Sequence, residues 1–274
     1  MKRIIAVSVT GGLIFITLLI LKLTRFTENM LTLSLIGAGL FLIGALVLKF
    51  LSPKVRLNRF FSMKPMSFLE WQITLCFAVL LICGSFLMNY LAGLLYHLLS
   101  FAVPPAFSEG GYSSMGVALL CIAVLPALFE EIFFRGAVLT MLRSSKLKTV
   151  AAIGLSAVLF ALLHGPSWYF LTDVYAGVLL AMLVYFTGSI YSAVIAHFIS
   201  NLVSYFLASY GERLTDAGVG DLTVHILVVC LIGAVCHLLH LLKKLILRHE
   251  KEDRSRVNEN SRRWEEKVAK GEKE

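Results

Sequence analysis

Six polar side chains lie inside long apolar stretches of this sequence, where such groups are rare. They are Glu130, Glu131, Arg135, His164, His197 and Asn201. A charged group at the centre of a bilayer costs about 2.5–3.5 kcal/mol on insertion scales, so one that is kept there is a functional candidate. A carboxylate, two imidazoles and a carboxamide that meet can activate water and donate hydrogen bonds to the resulting oxyanion. His and carboxylate side chains can also bind a divalent metal, although the H-E-x-x-H zinc motif is absent from the sequence.

The helical spacing of the first group separates the roles of its two glutamates. Glu131 and Arg135 are four residues apart and share a helix face, so they are predicted to form a structural ion pair directed away from the site. Glu130 is rotated by about 100° from Glu131 and is left to act chemically. Pro126 removes a helix hydrogen bond and is predicted to kink or loosen the turn before Glu130.

The two histidines each belong to a pair of residues spaced one helical turn apart. Phe160 and His164 form the first pair, and His197 and Asn201 form the second. A lone His on an apolar helix is more often a packing residue, but its combination with Glu130 favours a site. The four polar side chains are therefore predicted to converge on one water-accessible cavity, which Phe160 lines. In perfectly straight helices the gap in depth between Glu130 and His164 would reach about 10 Å or more, so either the fifth helix begins deeper than predicted, or tilt and the Pro126 kink close the distance.

The composition is that of a membrane protein. Of 274 residues, 58% are hydrophobic and 15% are charged, whereas a soluble domain is about half apolar and a quarter charged. The net charge of +8 comes from basic residues that lie between apolar segments, without a basic stripe interleaved with aromatics. This pattern indicates membrane orientation and argues against nucleic-acid binding. The five cysteines all lie in apolar runs and are predicted to be buried, reduced thiols.

We predict an all-α fold of about eight transmembrane helices with both termini in the cytoplasm. Spanning segments must be helical because lipid offers no partners to the backbone. This orientation places the Lys and Arg residues of 49–64 and 143–148 inside and leaves Lys22, Arg25 and Arg213 outside. The predicted spans are Ile4–Leu21, Met30–Leu48, Phe68–Leu95, Ser114–Leu142, Val150–His164, Asp173–Phe186, Ile190–Leu207 and Leu222–Leu242.

The remaining segments are predicted to be loops and a tail. Residues 97–112 and 209–221 are expected outside the membrane, and residues 187–189 form a tight turn. The transmembrane domain is predicted to occupy residues 1–245. The alternating basic and acidic residues of 246–274 predict a solvated helix or a disordered cytoplasmic tail.

Taken together, the three polar groups resemble the motifs of a known family. E-E-x-x-x-R at Glu130–Arg135, F-x-x-x-H at Phe160–His164 and H-x-x-x-N at His197–Asn201 are similar to the three motifs of the CPBP intramembrane proteases. This family, also called Abi, contains bacterial relatives of the CAAX prenyl endopeptidases. The resemblance covers about residues 113–207, and no motif position is substituted.

The resemblance implies an eight-helix membrane peptidase of a bacterial plasma membrane, with a cavity open to the cytoplasm. It implies that Glu130 is the base, that His164 helps to activate the water, and that His197 and Asn201 stabilise the oxyanion. A divalent metal such as zinc, bound by Glu130, His164 and His197, or no metal at all is consistent with the family. Eukaryotic relatives cut prenylated CAAX proteins, and bacterial relatives are linked to bacteriocin self-immunity, peptide maturation or membrane-protein processing. The implied partner is a membrane-associated peptide or protein in the lipid bilayer.

Two other classes of function stay open at this point. A non-catalytic scaffold or self-immunity protein would bind a membrane partner without cutting it. A proton-coupled transporter would use Glu130 and the histidines as a relay. Inverted repeats would favour a transporter, and none is found in the sequence.

Overall fold

The chain folds into a bundle of helices. A computed structural model describes residues 2–24, 27, 29–98, 112, 114–145, 147–164, 169–215 and 220–269, and these residues contain no β-strand. The helices are α1 (Lys2–Leu23), α2 (Met30–Phe50), α3 (Leu57–Phe60), α4 (Phe68–Leu98), α5 (Met115–Arg143), α6 (Thr149–Leu163), α7 (Phe170–Thr187), α8 (Ile190–Thr215) and α9 (Gly220–Ala269). The protein is therefore an all-α, multi-pass membrane protein, as predicted.

Seven of the described helices are long and apolar enough to cross a membrane: α1, α2, α4, α5, α7, α8 and α9. The fifth predicted span corresponds to α6, which has 15 residues. At 1.5 Å per residue its length is about 22 Å, short of the roughly 30 Å hydrocarbon core of a bilayer. Helix α6 therefore matches the position of a predicted span, but it is shorter than the hydrocarbon core and shorter than the spanning helices around it.

The structure modifies some of the predicted connections. Helix α8 continues to Thr215 and α9 begins at Gly220, so most of the predicted outer loop at 209–221 is helical. Helix α9 continues to Ala269, so the charged tail is helical to that residue. The tight turn at 187–189 is confirmed, and Gly188 occupies the left-handed region at φ 66°. Most of the predicted loop at 97–112 lies outside the described residues.

The cysteines are all free thiols, but they do not share one environment. Cys76, Cys83 and Cys121 are buried, as predicted. Cys230 and Cys236 are exposed on α9, so the prediction that every cysteine is buried is wrong for these two. An apolar run in a membrane protein can face lipid as well as the protein interior, and the sequence around a cysteine does not distinguish the two.

The bundle has two apolar cores. The first joins α1, α2 and α3 to α5 and α6, with Phe60, Phe133 and Phe134 fully buried in it. The second joins α4 to α7, α8 and α9 around Phe77 and Leu183. Helices α5 and α6 thus face α4, α7 and α8 across the boundary between the cores, where the candidate site lies.

Several Lys- and Arg-rich segments meet at one end of the bundle. Arg3, in the first turn of α1, donates a hydrogen bond of 2.5 Å to the carbonyl of Ser144 after α5. Lys64, before α4, donates one of 3.5 Å to the carbonyl of Thr187 at the end of α7. We call the segments that meet here the basic end: residues 51–67, 144–145 and 147–148, together with the turn at 187–189, which itself has no Lys or Arg.

The orientation of the bundle gives a first testable prediction. Because Lys and Arg are enriched on the cytoplasmic side of membrane proteins, we expect the basic end to be cytoplasmic. Reporter fusions after Lys64 and Lys148 should then report the cytoplasm, and fusions at Glu109 and Asp216 should report the outside. An external signal after Lys64 would contradict this orientation.

The packing of α7 on α6 gives a second prediction. A Cβ atom added at Gly177 would lie 2.8 Å from the Ala157 Cα, a backbone atom that cannot move independently. We therefore expect Gly177→Ala to lower the free energy of unfolding by about 1–3 kcal/mol, the usual cost of overpacking. In contrast, Gly154 of α6 has open space around its added Cβ. Gly154→Ala should be neutral or stabilising in the same detergent unfolding experiment, because Ala is the better helix former. Equal losses in both variants would show that the α6–α7 contact is not the cause.

Candidate active site

A cavity of about 470 Å³ lies between the two cores, bounded by α4, α5, α6, α7 and α8. Its lining includes the residues predicted to carry chemistry: Glu130, Phe160, His164, His197 and Asn201. The structure therefore brings together side chains from three helices that are far apart in sequence. Glu131 and Arg135 lie behind the wall of this cavity and are almost fully buried.

Glu130 and His164 face each other across the cavity. The Nδ1 atom of His164 lies 2.9 Å from the carbonyl oxygen of Phe160, and because a carbonyl only accepts, Nδ1 carries the proton. In the neutral ring the lone pair is then on Nε2, which lies 3.7 Å from Oε2 of Glu130. This separation exceeds the roughly 2.7–3.2 Å of a direct hydrogen bond, and both atoms are acceptors. A water molecule that donates one hydrogen to each would fit the arrangement and would turn its own lone pairs towards the cavity.

The carboxylate of Glu130 is buried without full compensation. The residue is 9% exposed, and its Oε2 has no hydrogen-bond partner in the described part of the chain. Buried polar atoms are nearly always paired, so an unpaired one requires an explanation such as a catalytic role or a bound water. Glu130 therefore presents an unsatisfied acceptor atom at the cavity.

Glu130 and His164 lie at nearly the same depth, and the gap that straight helices would leave between them is absent. The depth of each side chain follows from the number of residues between it and the short connection that joins α5 to α6. Glu130 precedes the end of α5 at Arg143 by nearly as many residues as separate His164 from the start of α6 at Thr149. At 1.5 Å per residue these spacings are about 20 and 22 Å, so antiparallel helices place the two side chains at nearly the same level.

Glu131 forms the predicted pair with Arg135 and makes a second contact that was not predicted. Its Oε1 accepts a hydrogen bond of 2.9 Å from Nη1 of Arg135. The same oxygen accepts one of 2.8 Å from Nδ1 of His197. Glu131 is thus directed away from the cavity, but it also fixes the ring of His197 and leaves Nε2 of that ring for the cavity. The assignment of Glu131 to a purely structural pair was incomplete.

Arg135 lies at the centre of the packing behind the site. Its Nη2 donates a hydrogen bond of 3.3 Å to the carbonyl of Gly177 in α7. Its guanidinium carbon lies 4.6 Å from the centroid of the Phe160 ring, a cation–π contact. Phe160 also contacts the rings of His164, Phe134 and His197, at 4.5, 5.1 and 6.1 Å between centroids. Phe160 therefore holds both imidazoles in place and separates the buried cation from the cavity.

The turn before Glu130 is distorted, as Pro126 predicts. Two π-helical segments, Leu120–Val124 and Ile132–Val138, flank the α-helical turns that carry the glutamates. In a regular α-helix the carbonyl of Ile122 would accept a hydrogen bond from residue 126, but proline has no N–H to donate. Asn201 of α8 supplies a donor instead, with Nδ2 at 3.0 Å from this carbonyl. One N–H of Asn201 thus fixes the amide group, and the other is left for a ligand in the cavity.

Asp173 was missed as a site residue by sequence reasoning, which used it only to mark the start of a span. It lies in the first turn of α7 and lines the same cavity as Glu130 and His164. Its neighbour Thr172 donates a hydrogen bond of 2.6 Å to Oδ1 of Asn89 in α4, which also lines the cavity. An acidic residue in a first helical turn is common for reasons of the helix dipole, so the sequence contained no separate signal for this role.

A metal centre held by Glu130, His164 and His197 is not supported by these positions. In the described part of the chain, no group of three or more His, Cys, Asp or Glu side chains is arranged to hold a metal ion. Each imidazole bonds through Nδ1 within the protein and keeps Nε2 available, an arrangement compatible with metal binding, so the objection to the centre is the placement of the side chains and not their bonding. The residues as placed do not fit a three-ligand centre, and we derive no step through a metal.

A protein-family model matches the segment of the chain that contains these residues. Residues 113–203 match the family model described as "Rce1-like: Type II CAAX prenyl endopeptidase Rce1-like". A search of curated proteins and a search of solved structures each found no match. The matched segment contains α5, α6, α7 and the first half of α8, and therefore all three motifs. The resemblance seen in the sequence is confirmed over this segment.

Proposed function

We propose that the chain is an intramembrane endopeptidase with Glu130 as general base, and the match of residues 113–203 to the Rce1-like, CAAX-type protease family model supports this proposal. The observation that carries this proposal is the facing pair of acceptors, Glu130 Oε2 and His164 Nε2, 3.7 Å apart in a cavity of about 470 Å³. A water held by both is oriented with its lone pairs towards a substrate carbonyl. That geometry suits hydrolysis better than it suits a binding surface.

The first step in this mechanism is attack by the bound water on the scissile carbonyl carbon. Glu130 takes a proton from the water as the new C–O bond forms, and His164 holds the water in position through its Nε2. A general base of this kind contributes about 10²–10⁴-fold to a rate. The His164 ring, with 35% of its side chain accessible, lies where water and substrate can both reach it.

The second part of the mechanism is stabilisation of the oxyanion. The free N–H of Asn201 is one donor, and the amide is held in place by its bond to the Ile122 carbonyl. The second donor is Nε2 of His197 when that ring is doubly protonated, since its Nδ1–H is directed to Glu131. Donors that are fixed before the reaction stabilise the developing charge without reorganisation.

The last step is collapse of the tetrahedral intermediate. The C–N bond breaks, and protonated Glu130 returns its proton to the leaving amine. The products are a free amine and a carboxylic acid, which loses its proton to water, and Glu130 is again a carboxylate. The reaction consumes one water and needs no redox partner.

Comparison of protein termini in membranes provides the direct test of this function. Cells producing the wild-type chain and cells producing Glu130→Gln at equal level would be compared by mass spectrometry of new N- and C-termini in the membrane fraction. We expect a set of termini that only the wild-type chain generates. Identical sets in the two samples would exclude hydrolysis by Glu130. An intact cellular phenotype with Glu130→Gln would then favour the scaffold function.

A further inference from the structure

We propose that the active-site cavity opens at the outer, extracytoplasmic face of the membrane and that its substrates are internal peptide segments exposed on that side. The side of the opening follows from the structure and the charge distribution. The substrate class rests in addition on the proposed endopeptidase function.

The lining of the cavity reaches far from the basic end along several helices. Glu130 is separated from Arg143 at the end of α5, and Asp173 from Thr187 at the end of α7, by nearly equal lengths of helix. At 1.5 Å per residue these separations from the basic end are about 20 Å along each helix. Asn89 of α4 is further still, about 31 Å along the helix from Phe68. Leu180 and His197 lie seven residues, about 10 Å, from the ends of their helices at the basic end, so the cavity extends from there to the opposite end of the bundle.

The polarity of the wall shows which side of the cavity is closed. Towards the basic end the lining is apolar and tightly packed, with Leu81 and Leu180 each 1% exposed and Phe160 3% exposed. Towards the other end the lining is polar. It comprises Asn89, Thr172 and Asp173 together with Tyr169, Ser204 and Tyr205. Polar side chains at the mouth and apolar side chains at the floor mean that water enters from the end remote from the basic loops.

The positions of the basic residues then indicate that the end with the polar mouth is the outer, extracytoplasmic end. In α9, Arg248 reaches the basic end, where its Nη1 donates a hydrogen bond of 3.2 Å to Ser67. Short loops rich in Lys and Arg stay in the cytoplasm. The cytoplasmic opening implied by the family and a cytoplasmic basic end cannot both be correct, and the charge distribution of this chain favours the outer opening. The segment before α4 contributes most of the cations at this end, namely Lys54, Arg56, Arg59 and Lys64.

The charges inside the cavity restrict the class of substrate. The described lining residues include the carboxylates of Glu130 and Asp173 but no Lys or Arg. A cut near the end of a chain, as in a CAAX tail, would bring the terminal carboxylate of the substrate close to these groups without a cation to pair with it. An internal segment brings no such charge. The combination of an outer opening and an acidic wall thus favours segments of exported peptides or membrane proteins close to the outer surface of the bilayer.

Cysteine labelling in intact cells tests the side of the opening independently of any enzymatic activity. The five native cysteines would be replaced, and a single cysteine would be introduced by Ser204→Cys at the mouth or by Asn58→Cys at the basic end. A membrane-impermeant maleimide should label Ser204→Cys in intact cells. It should label Asn58→Cys only in inside-out vesicles, which expose the cytoplasmic face.

The opposite labelling pattern would overturn the proposal. If the cysteine-free protein fails to fold, the reporter fusions after Lys64 and at Glu109 decide the orientation in the native chain, and an external signal after Lys64 likewise overturns it. Outer labelling at Ser204→Cys without any Glu130-dependent cleavage would reject the proposed function alone and leave the side of the opening established.

The termini that depend on Glu130 test the substrate class. We expect them to map to internal positions on the extracytoplasmic side of their proteins, within a few residues of an apolar span. Cleavage in cytoplasmic loops or within the last few residues of cytoplasmic tails would contradict the proposal, even if Glu130 proves essential.

Discussion

Replacing Glu131 by glutamine is expected to lower the free energy of unfolding by about 3–5 kcal/mol, the typical cost of leaving one member of a buried ion pair alone. The side chains of Glu131 and Arg135 are 0% and 1% exposed, so Arg135 cannot turn to water when its partner loses its charge. Glutamine has nearly the same size as glutamate and retains an acceptor oxygen. The loss of unfolding free energy therefore measures the effect of removing the charge. Unfolding by titration with a denaturing detergent in mixed micelles would measure it.

Glu70 offers a matched control for this substitution. It is also buried, at 4% exposure, and its Oε1 lies 2.8 Å from Nζ of Lys64. The side chain of Lys64 is 57% exposed, so the cation can return to solvent after Glu70→Gln. We expect a loss of about 1 kcal/mol at most from the ion pair, in the range of exposed pairs. If Glu70→Gln costs as much as Glu131→Gln, the isolated charge of Arg135 is not the reason.

A double substitution tests whether the loss of stability comes from the unpaired charge of Arg135 or from altered packing at these positions. With Arg135→Gln added to Glu131→Gln, no unpaired cation remains, and the double variant should be more stable than Glu131→Gln alone. A double variant that loses the sum of the two single effects would mean that the residues stabilise the fold independently.

The parts of the site that follow from spacing along one helix could be predicted from the sequence. The pair of Glu131 and Arg135 is such a case, because residues four apart on a helix meet whatever the rest of the fold does. The distortion near Pro126 is another, because a missing N–H has a local consequence. The convergence of the motifs followed from the physical cost of isolated polar groups in an apolar environment.

Contacts that depend on the rotation of one helix against another could not be predicted. The bond from His197 to Glu131 requires that α8 present one particular face to α5, and no local spacing sets that face. The bond from Asn201 to the Ile122 carbonyl has the same origin, although the unsatisfied carbonyl was implicit in Pro126. Asp173 was missed because its position in a first helical turn has an ordinary explanation. The relative depth of Glu130 and His164 stayed open because each was measured along its own span and not from the connection that they share.

Glu130→Gln is expected to lower the rate constant of cleavage, kcat, by about 10²–10⁴-fold, because it removes the general base and retains the shape of the side chain. The same change should leave the melting temperature in detergent unchanged or slightly higher. The reason is that Oε2 of Glu130 is buried without a hydrogen-bond partner in the described part of the chain. Removal of a buried charge that is not fully compensated relieves a desolvation cost. Stability and activity should therefore respond in opposite ways to the two adjacent glutamates, with Glu131 required for folding and Glu130 for chemistry.

His164 provides the sharpest test of the shared water. If Glu130 and His164 act on one water molecule, as their 3.7 Å separation indicates, the loss in kcat from Glu130→Gln combined with His164→Ala should be no larger than that from the more damaging single change. Multiplicative losses would mean that the two groups act on different steps.

Glu250 is exposed on α9, far along the chain from the cavity residues, and Glu250→Gln serves as the control for substitution of a carboxylate by an amide. It should retain both the wild-type rate and the wild-type melting temperature. A fully active Glu130→Gln protein, or a Glu130→Gln protein that loses activity only because it unfolds, would rule out Glu130 as the base.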